Sequence, residues 1–126
     1  MRPKTLAAVA QLALHGDSFD RCLANFLDAF YAAPNAGALA DAPMLLAPRL
    51  GKAGSVQDAY LAATAEELAR AHQFPVPAWT VAEARRLHQP WFASSLAALR
   101  SVLLLESPAA FRARNLFVSE NALTRA

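Results

Sequence analysis

Apolar residues recur at helical spacing along most of this chain and almost nowhere alternate. Phe19, Cys22, Leu23, Phe26, Leu27 and Phe30 define one wide apolar face, with Asp20, Arg21, Asn25 and Asp28 largely opposite. That pattern predicts a helix capped by Asp17 or Ser18 and stopped by Pro34. An earlier helix is predicted over about 3–15, because Pro3 suits a first turn and Gly16 suits the position beyond an end. A third follows Ser55, an N-cap candidate with Asp58 three residues on, and runs to Ala71 or His72. Val56, Tyr60, Ala63 and Glu67 mark one stripe of it, and Leu61, Ala65 and Leu68 a neighbouring one. Small residues dominate both, so close packing against another helix is expected. The segment holding Leu96, Leu99, Val102, Leu103 and Leu105 is apolar almost all round. It reads as the central buried helix, opened by Ser94 or Ser95.

The breaks between these patterns are equally informative. Residues 34–54 contain Pro34, Gly37, Pro43, Pro48, Gly51 and Gly54, and read as an irregular connector with room for a short helix near 38–42. Met44, Leu45, Leu46 and Leu50 are too apolar for a free linker and are expected to pack on the body. The two prolines of Phe74-Pro75-Val76-Pro77-Ala78-Trp79 favour an extended, polyproline-like path. Thr80 and Glu83 have capping-box spacing, which predicts a helix to about His88, closed by Pro90. Ser107-Pro108 predicts a stop and a new start, with serine as N-cap and a helix to Arg114. Leu116 to Val118 form an apolar strap, and Ser119 caps a last turn. The fold class that results is all-α: residues 1–126 as one bundle of about six helices with a Pro-rich connector.

Composition supports that class. Apolar residues make up 56% of 126, mostly alanine, and there are only four glycines. Alanine is the best helix former because it loses no side-chain entropy. The single cysteine, Cys22, falls on an apolar helix face, which predicts a buried, inert thiol and fits a reducing cytoplasm. No apolar run approaches the length of a membrane span.

Charge narrows the classes further. The formal net charge is +2, too small to imply nucleic acid by itself. From Trp79 onward, however, six arginines (85, 86, 100, 112, 114 and 125) face three glutamates (83, 106 and 120). Metal-ligand spacing is absent around His15, His72 and His88, and no phosphate loop or nucleophile elbow occurs. Glu66 and Glu67 are adjacent, but neighbours on a helix point in different directions. No cofactor is expected, and an enzyme would need a site assembled across helices. A DNA-reading helix is equally poorly served, because the segment after Ser95 is too apolar for a groove. Arg112, Arg114 and Asn115 could still meet phosphates. The stronger candidate is a protein-binding surface built from Arg85, Arg86, Trp91, Arg112, Arg114 and Asn115, since tryptophan and arginine most often dominate interfaces. The high apolar fraction also admits a homodimer.

Four motifs carry a family resemblance: Pro75-Val76-Pro77-Ala78-Trp79, Pro90-Trp91-Phe92, Leu104-Leu105-Glu106-Ser107-Pro108-Ala109-Ala110-Phe111 and Arg112-Ala113-Arg114-Asn115-Leu116-Phe117-Val118-Ser119. On these, residues 58–126 resemble a group of small bacterial helical proteins encoded beside nucleotidyltransferase-like toxins. The resemblance implies an antitoxin-like or accessory binding role. Some of that group carry a repressor-type helix-turn-helix domain ahead of the shared part. No such segment is legible here, so autoregulation of transcription is not among the expectations.

Overall fold

Thr5 opens the first helix, α1 (Leu6–Leu14), by accepting the Ala8 amide at 3.0 Å. Gly16, at φ +102°, closes it: the Gly16 amide donates to the Ala13 carbonyl and the Asp17 amide to that of Leu12. This left-handed stop satisfies the last carbonyls and turns the chain into α2 (Phe19–Ala32), capped by Ser18. The computed structural model describes residues 2–125. The remaining helices among them are α3 (Gly37–Ala40), α4 (Ala47–Ala71), α5 (Arg100–Glu106) and α6 (Ala109–Arg112). The molecule is thus an all-α domain, and none of these helices is long and apolar enough to cross a membrane.

The axis of the fold is α4. Its Leu61, Ala65, Leu68 and Ala69 join Leu6, Val9, Phe26 and Phe30 in one buried cluster against α1 and α2. Its Ala59 and Ala63 join Ala110, Phe111, Leu116 and Val118 in a second cluster on the other side. Tyr60 touches both, edge-on to Phe19 at 6.2 Å and to Phe111 at 4.9 Å. Alanine faces let neighbouring backbones approach α4 from two directions. This corrects the expected centre: a Leu-rich segment was expected there, yet in α5 only Leu103 is buried. An apolar sequence states what can be buried, and the Ala-rich helix already occupies the middle.

The connector over 34–54 is also more ordered than its prolines and glycines suggest. It contains α3 and the first turn of α4, with Pro48 in that turn. Gly51, at φ +65° and ψ −138°, bends α4 there. The turn over 47–50 therefore lies against the rod that follows. A Cβ on Gly54 would stand 2.5 Å from the Leu46 carbonyl oxygen, so only glycine fits. Of the connector's large apolar residues Leu39 and Leu46 are buried, whereas Met44, Leu45 and Leu50, expected to pack on the body, are exposed.

Two further expectations give way after Pro77. Thr80 and Glu83 do not form a capping box. Thr80 is buried with its hydroxyl donating to the Pro77 carbonyl at 2.8 Å, and the chain makes two short 3₁₀ turns, Ala78–Val81 and Glu83–Arg85. Ser107 is not a helix cap either. Its hydroxyl donates to the Leu116 carbonyl and accepts the Val118 amide, fastening the end of α5 to the strap. The strap then pairs in parallel with Trp91–Phe92 as a two-residue bridge of β1 (Trp91–Phe92) and β2 (Leu116–Phe117). Beyond it, the Tyr31 hydroxyl donates to Leu123 and Arg125 grips Asp28 at 2.9 and 3.3 Å, holding the C-terminal segment to α2.

Candidate protein-binding surface

The six residues singled out from the sequence divide between the interior and the surface. Arg85 is buried. Its Nη1 lies 3.8 Å from Asp58 Oδ1, its Nη2 donates to the Pro43 carbonyl, and its guanidinium sits 4.9 Å from the Trp79 ring. Asp58, wholly buried, accepts the Leu46 amide at 2.7 Å and the Ala47 amide at 3.1 Å. It thus caps the first turn of its own bent helix from the far side of the bend. Burial pushes the Asp58 carboxyl above its usual range against those amides and Arg85, and burial lowers the Arg85 guanidinium. Trp79 adds a hydrogen bond from its indole to Leu39 at 3.0 Å.

Arg114 is buried as well. Nη1 donates to the Ala110 carbonyl at 2.8 Å and pairs with Glu66 at 2.8 Å, while Nη2 donates to the Thr80 carbonyl at 2.9 Å. Burial acts to raise the Glu66 carboxyl, but hydrogen bonds from Arg114 and Arg70 outweigh it and hold the group below its usual range. Its neighbour Glu67 accepts the Ala110 amide at 3.0 Å and caps α6. The adjacent carboxylates therefore do separate structural work. Asn115, left-handed at φ +62°, ends the α6 turn, and its side-chain amide donates to the Leu87 carbonyl at 2.7 Å. Arg85, Arg114 and Asn115 are joined to the fold's own groups. Arg86 and Arg112 remain exposed to solvent.

Trp91 is half-buried, fixed by its backbone amide on the Asn115 carbonyl at 2.8 Å. Three adjoining depressions meet at its side chain. One, of about 430 Å³, lies between α2 and the C-terminal segment, with Asp20, Leu23, Leu27, Tyr60 and Arg125 among its walls. A second, of about 390 Å³, is bounded by Phe19, Val56, Gln57 and Tyr60. A third, of about 530 Å³, runs past Lys52, Val56 and His88. Shared walls at Asp20, Tyr60, Ala93 and Val56 make them one groove of mixed apolar and polar lining, with the Asp20 carboxylate where the first two join. Burial, then the nearby Asp20, pushes the Tyr60 phenol up to about 12, so it stays neutral.

Trp91 was visible in the sequence only as an aromatic in an arginine-rich stretch. The rest of the groove was not. Asp20 and Arg125 are brought to its wall only by long-range closure, and Tyr60 read as one member of a helix stripe. No group of three His, Cys, Asp or Glu side chains that could hold a metal occurs among the described residues.

Compared with family models, curated proteins and solved structures, the chain gives no match.

Proposed function

We propose that this chain is a non-enzymatic helical module that binds a protein partner in the Trp91 groove, in an antitoxin-like or accessory role. The observation that carries the reading is the convergence of three depressions on one half-buried tryptophan. A large, rigid aromatic ring at the centre of a trough is the usual anchor of an interface. Arg125 at one end, Lys52 and His88 at the other and Asp20 between them give the polar groups that a protein ligand needs. The groove's phenol is too weak an acid for proton transfer near neutral pH, and Arg125 is committed to Asp28. The toxin-associated role rests on the motif resemblance over residues 58–126, and the cytoplasmic setting on the free, buried Cys22.

The test is co-purification of the tagged chain from its native host, followed by affinity measurement. A stoichiometric protein partner is expected. Trp91→Ala should weaken its binding by about 30-fold or more, as loss of a central anchor does. Ala93→Arg, at an exposed position on the groove wall, should block it with the fold unchanged by circular dichroism. Recovery of no stoichiometric partner, or full affinity in both variants, would sink the reading.

A further inference from the structure

Arg85 shows how this chain seats a guanidinium. The group sits 4.9 Å from the Trp79 ring and 3.8 Å from the Asp58 carboxylate. The ring supplies its electron-rich face and the carboxylate its charge. The chain's other tryptophan stands beside the same kind of carboxylate, with no cation between them. Trp91 and Asp20 line both the depression of about 430 Å³ and that of about 390 Å³. Among the described residues no ion pair uses Asp20, and no cation lies over the rings of Trp91, Tyr60 or Phe19. Arg125, the basic residue on the same wall, grips Asp28 instead. Asp20 itself is exposed, in the first turn of α2, and near enough to the Tyr60 phenol to help raise it. Gln57, on the wall of the smaller depression, has a buried Oε1 that finds no donor among the described residues. The site is short of positive charge, and one of its acceptors lacks a donor.

We propose that a protein partner seats an arginine side chain here, stacked on Trp91 and paired with Asp20; this rests on the reading of the groove as a protein-binding site. A guanidinium fits better than an ammonium. It is planar, so it stacks on a ring while its edge pairs with a carboxylate, and it is more weakly hydrated, so it leaves water more readily. Its five N–H donors also exceed what one carboxylate takes up, which leaves donors for the Gln57 acceptor on the same wall. An acidic segment would set like charges together at Asp20, and a purely apolar one would desolvate that carboxylate without compensation.

Titration with N-acetyl-arginine methylamide, followed through the NMR signals of the two indole N–H groups, tests the site without a partner in hand. The Trp91 signal should move with roughly millimolar affinity, while that of Trp79, bonded to Leu39, stays in place. Trp91→Phe removes the signal that moves and so assigns it. The uncharged norleucine amide at matched concentration should move neither signal. Asp20→Asn should weaken the arginine amide at least about 3-fold. In the partner complex, Asp20→Lys should lower affinity more than about 10-fold, because it sets a cation against the incoming arginine. An unmoved Trp91 signal, an equal response to the norleucine or lysine amide, or full affinity in Asp20→Asn overturns the proposal. A partner released by Trp91→Ala but indifferent to Asp20→Lys also overturns it, and leaves the groove in place as a protein-binding site. If no partner is found while the arginine amide still binds at Trp91, the protein-binding reading fails and the guanidinium site stands.

Discussion

Glu66 shows how much can rest on one side chain. It sits on α4 and holds both Arg70, at 3.0 Å, and the buried Arg114, at 2.8 Å. Because those cations keep its carboxyl below the usual range, the fold prefers the ionised form. Its contribution to stability is therefore present above the unfolded-state value and lost as pH falls through the lower folded-state value. Glu66→Gln should cost about 2 kcal/mol at neutral pH, because Arg114 would keep its burial and lose its counter-charge. The gap between wild type and variant should close as pH falls below the ordinary carboxylate range and wild-type Glu66 becomes protonated too. Urea denaturation of both proteins across that range checks this. A gap independent of pH would show that the ion pair is not what stabilises.

At the scale of elements, the bend in α4 is the least forgiving feature. Asp58 holds the turn over 47–50 by two amides, and Gly54 is the surface against which that turn lies. Gly54→Ala should cost about 2–3 kcal/mol, since its Cβ would meet backbone rather than a movable side chain. An unchanged thermal midpoint would mean that the turn does not pack as described. The same region shows how far the fold was legible. Gly16 and Ser18 act within four residues of themselves, and sequence spacing located the end of α1 and the start of α2 from them, whereas Pro3 was taken for the first turn of α1 and Thr5 caps it instead. Asp58 acts across a bend, on amides eleven and twelve residues away, so local spacing assigned it to the wrong helix start. Ser107 likewise had the position of an N-cap, but Glu67, 43 residues away from Ala110, performs that task for α6. Arginine content marked Arg85 and Arg114 as distinctive without saying which way they point. Their carboxylate partners lie on α4, and only tertiary packing brings them together. Of the groove, Trp91 alone carried a local signal.

For the molecule as a whole, the two buried clusters share one helix and meet at Tyr60. They should unfold as a single cooperative unit. Tyr60→Ala should cost about 3 kcal/mol and separate the hydrogen-exchange protection of α2 from that of the strap. Equal loss of protection throughout would count against a coupling role. The alanine faces of α4 also set the terms on which this sequence can evolve. At Ala59, Ala62, Ala63, Ala65 and Ala69, all wholly buried, any larger side chain must displace a neighbouring helix, and glycine would weaken the rod. Such positions leave a lineage almost no neutral steps. Change is then channelled towards the periphery, where α5 and the groove rim can vary with whatever they meet while the axis that carries them stays fixed.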